Sequence, residues 1–463
     1  MVQADRVRHR WGAVAAAGAL LTVLAAAPAA ATTTPPGPAV GFWAGEVNQR
    51  CVATDPTAGC PRDVSAYTPA IWDALARGHG VLYLDLVYTG DFGPPANGTL
   101  RTDGLALVQE ANRRGVEVKA WLTAPVAHGT YANENNAAFM DDAVKALLAW
   151  RDAHHLTINE AVFDLEFPAG YQAAIDATDP AKLAAMRGNI DPAHQCAALR
   201  SYASTVSWAH AHGLALSATP VPFEIDDLDD GNMALADLLD LGPLLTKAYD
   251  HVYVQAYRTY SDTGADYVAS YMRRIRAAFG SAGEVSLGDT TMGPPYTDKA
   301  TLGTDVRMLA AMGATAIPIF DFDATVKSLG PTGLLTLLTA GQHPMSAAEL
   351  AAAQAPNTLT TATLGFFAAL DRAASAASPR ANAWPDGCGT FTVAPLVRSP
   401  SPIPVTTPPV RGPRVPTRTA VTPAHSLAAT GTVPWASWAG LTLTLVAVVL
   451  RRVPRARRPH RAG

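Results

Sequence analysis

Apolar and polar positions follow one repeated phrase through the middle of the chain. A stretch with helical spacing closes on Gly, His or Asp, and a short apolar run follows. Ala76-Arg77-Gly78 leads to Val81–Leu86, and Arg113-Arg114-Gly115 to Val116–Trp121. His154-His155 leads to Ala161–Glu166, and His212-Gly213 to Leu214–Ser217. Tyr249-Asp250 precedes Val252–Tyr257, Ser281-Ala282-Gly283 precedes Val285–Gly288, and Met312-Gly313 precedes Ala316–Phe320. With Val40–Trp43 in front, the pattern predicts eight strands alternating with helices over residues 40–345. Gly commonly stops a helix, and buried parallel strands read as short apolar runs. The alternation predicts an α/β fold, a (β/α)8 or TIM barrel. An open doubly wound sheet is the rival, but no Gly-rich phosphate loop follows any strand. Residues 346–392 read as helices packed outside the barrel.

A barrel carries its active site at the C-terminal ends of the strands. Those ends hold Glu46, Asp85, Trp121, Asp164, Glu166, Glu224, Gln255, Tyr257, Asp289, Asp321 and Asp323. Charged groups there are costly unless they face the mouth and act there. Asp164 and Glu166, two apart on a strand, share a face. Close carboxylates raise one another's pKa, so one can stay protonated as a general acid, as glycosidic cleavage requires. Gln255 and Tyr257 repeat the spacing, and an amide and a phenol can both bond a sugar N-acetyl group. Trp43, Asp85, Trp121, Asp289, Asp321 and Asp323 complete the expected substrate-binding set.

The run Asn159-Glu160-Ala161-Val162-Phe163-Asp164-Leu165-Glu166 resembles the fourth-strand signature D-G-x-D-x-D-x-E of glycoside hydrolase family 18, the chitinase-like barrels. Val252–Tyr257 is similar to the Q-x-Y segment of their sixth strand. The resemblance implies Glu166 as general acid and Asp164 as the group orienting a substrate acetamide that serves as nucleophile. It implies Tyr257 as the donor to the acetamide carbonyl. Asn159 and Val162 stand where the family has Asp, and Phe320-Asp321-Phe322-Asp323 replaces the usual Trp of the last strand. Two alternatives follow. One is a carbohydrate-binding barrel without catalysis, which Val162 favours. The other is a two-carboxylate glycosidase pairing Glu166 with Asp289, Asp321 or Asp323.

Charge separates the ends from the middle. The formal net charge of the 463 residues is -4. Residues 1–31 carry three Arg against Asp5, and residues 398–463 carry ten Arg and no acid. The remainder holds 22 basic and 38 acidic residues. So acidic a body is a poor partner for nucleic acid or an anionic membrane. Neutral or amino-bearing polysaccharides and oligosaccharides are the expected ligands of a monomer.

Residues 1–31 read as a signal peptide: basic residues, the apolar run Ala13–Ala27, then Ala29-Ala30-Ala31. Residues 393–426 form a Pro/Thr-rich spacer, extended because Pro fixes φ. Residues 427–463 hold Leu427-Ala428-Ala429-Thr430-Gly431, an apolar stretch over 433–450 and an Arg-rich tail. The stretch is long enough to span a bilayer, and the tail sets its orientation. In this order the parts resemble a sortase sorting signal in its L-A-x-T-G form. That implies a secreted protein joined to the cell wall through Thr430, with sortase as a partner and membrane contact only through the C-terminal segment.

Four cysteines fit export. Cys51 with Cys60 and Cys196 with Cys388 is the favoured pairing of three. No C-x-x-C spacing favours metal, and no cofactor is implied. His154, His155, His210 and His212 sit at predicted helix ends and are expected to face solvent. The acidic run Glu224–Asp230 is expected to be a solvated loop.

Overall fold

The computed structural model describes residues 37–45, 64–93, 103–168, 171, 186–244, 248–291, 293–377, 388, 393, 395 and 396. Residues 1–31, Glu46, Cys51, Cys60, the sorting signal and most of the spacer lie outside them. The strands are β1 (Ala39–Ala44), β2 (Val81–Val87), β3 (Glu117–Thr123), β4 (Glu160–Leu165), β5 (Ala215–Pro220), β6 (Val252–Gln255), β7 (Gly283–Ser286) and β8 (Ala316–Ile319). Neighbours pair in parallel in the order β7-β6-β5-β4-β3-β2-β1-β8. A parallel bridge between Leu287 and Ile319 joins the two edges and closes the ring. The fold is therefore an α/β TIM barrel, as the repeated phrase predicts.

The α-helices begin with α1 (Pro69–Arg77), α2 (Asp103–Arg114), α3 (Ala137–Ala153) and α4 (Pro192–Ala211). After β5 come α5 (Pro222–Asp230) and α6 (Ala234–Leu238), then α7 (Ala265–Phe279) and α8 (Lys299–Ala311). Last are α9 (Phe322–Ala340), α10 (Ala347–Ala353) and α11 (Thr358–Ala377). Their starts follow capping chemistry. Thr68 accepts the Ile71 N–H before Pro69, and Asp191 accepts from Ala193 and His194 around Pro192. Cys196 of α4 is disulfide-bonded to Cys388, 192 residues later, which matches the expected long-range pairing. Among the described residues no helix is long and apolar enough to cross a membrane.

Strand residues alternate between two environments. Phe42, Leu82, Leu84, Val118, Leu122, Phe163, Leu216, Val254 and Ile317 face outward into one apolar layer beneath the helices. Their neighbours face inward. At the base of the interior, Lys119 is ion-paired with Glu160 at 2.8 Å. Glu160 also accepts from Ser217 at 2.7 Å and Tyr253 at 3.1 Å. A middle layer holds Trp43, Tyr83, Trp121, Val162 and Tyr253 in mutual contact. Polar groups return above it, at the mouth.

Candidate active site at the strand ends

β4 delivers the two central carboxylates. Alternation turns Glu160, Val162 and Asp164 inward, and Glu166 follows on the same side just past the strand. The Ala132 peptide grips this end. Its N–H donates to the Asp164 carbonyl at 2.8 Å, and its carbonyl accepts the Glu166 N–H at 3.2 Å. Glu166 is thus held as firmly as a strand residue.

The side chains meet on Gln255, at the end of β6. Its Nε2 donates to Asp164 Oδ1 at 3.1 Å and to Glu166 Oε1 at 3.0 Å. The same nitrogen lies 3.4 Å from the Thr219 carbonyl. Asp164 Oδ2 accepts from Trp121 Nε1 at 3.1 Å. Burial, then the charge of Glu166, pushes the Asp164 carboxyl well above the usual range, against the donors Trp121 and Gln255. Burial raises Glu166 to about 7, with Gln255 opposing. Groups this close titrate together, so the pair keeps a proton where an exposed pair would have lost both.

Tyr257 stands beside them. Its hydroxyl hydrogen-bonds Ser286, and burial pushes its pKa well up, so it remains a neutral donor. Its ring stacks on Phe320 at 5.8 Å. Gly288 makes room: a Cβ there would come within 3.0 Å of the Tyr257 ring. Asp289 follows. Its carboxylate accepts from Thr291 N and Oγ1, and its N–H donates to Thr259 Oγ1. The charge of Asp289 acts on Tyr257 and on Tyr260, which also feels Glu166. Asp85 accepts from Thr123 Oγ1 at 2.6 Å, and its charge reaches Asp164. Gly45, with φ of +148°, leaves space for it: a Cβ there would lie 2.3 Å from that of Asp85.

Asp164, Glu166, Gln255, Tyr257, Trp121, Asp85 and Asp289 therefore share one region. Other expected residues stand elsewhere. Trp43 lies in the middle layer, 1% exposed, with its N–H given to Ser286 Oγ at 2.9 Å. Asp321, two residues past β8, is the N-cap of α9, accepting from Ala324, and Asp323 lies in the first turn of that helix. Burial raises Asp321 to about 7. Glu224 is in α5, fully buried, and its run is a helix rather than a solvated loop. Asp226 and Asp229 of that helix both pair with Arg274. His210 is buried too and bonds Asp250 at 2.8 Å, instead of facing solvent. The sequence reading missed Thr219, Ser286 and Tyr260. Ser286 and Gly288 repeat the same-face spacing of Asp164 and Glu166, which could have pointed to Ser286.

Among the described residues no group of three or more His, Cys, Asp or Glu side chains could hold a metal ion. The described site brings together a buried acid pair, a phenol and an amide.

No family model matches the chain, and no curated protein matches it. Solved structures similar to it include the glycoside hydrolase domain of PgaB from Bordetella bronchiseptica. It is 12% identical, with a TM-score of 0.41 over 66% of this chain and 99% of that one. The catalytic domain of a family GH18 chitinase from the fern Peteris ryukyuensis is 14% identical, with a TM-score of 0.38 over 66% and 99%. A fungal beta-1,4-galactanase is 11% identical, with a TM-score of 0.39 over 65% and 99%. Likenesses of this size leave the chemistry to be argued from the side chains.

Proposed function

We propose that this protein is a secreted, surface-anchored glycoside hydrolase. Its substrate is an extracellular polysaccharide containing N-acetylated or amino sugars. The observation that carries the reading is the buried Asp164–Glu166 pair bridged by one amide nitrogen.

Glu166, still protonated near neutral pH, donates its proton to the leaving glycosidic oxygen. Positive charge then grows on the sugar ring, and the Asp164 carboxylate offsets it. Asp164 and Glu166 come from one strand end and share one donor. They cannot stand on opposite faces of a sugar ring, as the two carboxyls of a direct displacement must. Asp164 is therefore not the nucleophile. By the resemblance to the chitinase-like barrels that role falls to the substrate's own acetamide, with Tyr257 donating to its carbonyl, while Asp289 in the same region is the carboxylate of the two-carboxylate alternative. The rival of a binding barrel without catalysis draws on Val162, which supplies no second proton site below Asp164.

A glycan panel assayed with wild type and Glu166→Gln tests this. Wild type should turn over an N-acetylated or amino-sugar polymer. Glu166→Gln should lose about 100-fold or more in rate while still binding. Equal turnover in both proteins would overturn the acid assignment. Binding without turnover in wild type would favour the non-catalytic barrel.

A further inference from the structure

We propose that Gln255 is a positioning residue that assigns the proton of the carboxylate pair to Glu166, and that the Thr219 main chain locks it in the orientation that does so. The proposal deepens the reading of Glu166 as the acid and rests on it.

The two ends of a glutamine amide have the same shape, so partners decide which end points where. A backbone carbonyl only accepts. The Thr219 carbonyl lies 3.4 Å from Gln255 Nε2, so the NH2 end must face it. Turned over, the amide oxygen would confront three oxygens at once. Thr219 is itself fixed: it pairs with Asp164 in the β4–β5 register, and its Oγ1 donates to the Tyr253 carbonyl at 2.8 Å. The amide's two hydrogens are shared among three acceptors, and the one that can never turn donor is the main-chain carbonyl.

With the NH2 end inward, Asp164 Oδ1 and Glu166 Oε1 both receive N–H donors. Asp164 Oδ2 receives Trp121 Nε1, which only donates. Both oxygens of Asp164 thus accept an N–H, against one for Glu166, and donors to a carboxylate favour its charged form. Among the described residues, no hydrogen bond reaches Glu166 Oε2. Burial and the charge of Glu166 push the proton toward Asp164. The two N–H donors on Asp164 oppose this, and in our proposal they prevail, so the proton rests on Glu166 Oε2 and Asp164 stays the anion.

Carboxyl-carbon NMR of the full chain tests this without any substrate. Asp and Glu are labelled with 13C in separate samples and titrated from about pH 4 to 9. Beside the neutral-range titrations of Asp237 and Asp321, which the variants leave in place, wild type should show one on a Glu signal that vanishes in Glu166→Gln and persists in Asp164→Asn. Gln255→Met removes the shared donor and frees Asp164 Oδ1. An Asp signal should then gain a neutral-range titration, shifted up by about one pH unit. Gln255→Glu, close in shape, covers the case in which the Met variant fails to fold, and should likewise spread the titration onto Asp. A wild-type neutral titration on Asp164, or an unchanged Asp signal in both Gln255 variants, would overturn the proposal. An inactive wild type with its proton on Glu166 would sink the hydrolase reading and leave this one standing.

Discussion

At the residue scale, Val162 separates the resemblance from the physics. The chitinase-like signature has Asp at that position, and a sequence reader is tempted to restore it. The side chain is fully buried in the layer of Trp43, Tyr83, Trp121 and Tyr253, where Trp43 already donates to Ser286, Trp121 to Asp164 and Tyr253 to Glu160. Val162→Asp should therefore destabilise the fold by about 3 kcal/mol and leave turnover no higher, measured by urea denaturation and the glycan assay. Unchanged stability with faster turnover would mean that the layer can take a second acid. The site was half legible at this scale. Spacing of two along a strand revealed Asp164 with Glu166 and Gln255 with Tyr257. The Thr219 carbonyl was not legible, because a main-chain atom leaves no mark in the side-chain sequence. Tyr260 was missed because it lies in a 3-10 turn after β6, Arg258–Tyr260, rather than at a strand end.

At the element scale, the strands were legible as apolar runs, but which residues face inward was not. Runs such as Val81-Leu82-Tyr83-Leu84-Asp85-Leu86 look uniformly buried, although every second side chain enters the barrel. Lys119 falls within the run Val116–Trp121 and Glu160 just before Ala161, and nothing in those runs announces the ion pair they form inside the barrel. Lys119→Met should cost about 3–5 kcal/mol, because it leaves Glu160 charged and buried. Adding Glu160→Leu should recover most of that loss in a double-mutant cycle followed by equilibrium denaturation. A single variant as stable as wild type would show that the pair is solvated. The run Glu224–Asp230 was misread because charge density suggested solvent. Its helix signals were present: Pro222 at the first position and Gly231 just past the end, with φ of 73°. Local backbone chemistry outweighed the count of charges.

At the scale of the whole molecule, the acidic body divides its carboxylates between water and interior. Glu134 is raised to about 10 by burial first and then by Asp237, Asp240, Glu224 and Asp191, and neither of its oxygens has a hydrogen-bond partner. Burial also lifts Asp237 to about 7 and Asp226 to about 6. A raised carboxyl keeps its proton in the fold after the unfolded chain has lost it. Its contribution is complete below the unfolded pKa and fades as pH climbs toward the folded one. Glu110 and Glu349, lowered to about 2 by hydrogen bonds to Arg113 and Ser346 respectively, act oppositely and weaken the fold only in stronger acid. Thermal melting should therefore be highest near about pH 5 and fall by about pH 8, and Glu134→Gln should flatten that slope. A melting temperature that rises over the same interval would refute the assignment. The barrel was legible at this scale because a helix-and-strand phrase repeated around a ring needs only period and punctuation. Another consequence comes from the aromatic layer around Val162. It fills the barrel interior between the Lys119–Glu160 pair and the carboxylates at the strand ends. A long chain cannot be threaded through it. On the proposed reading, a polymer would lie across the strand ends rather than pass along the barrel axis.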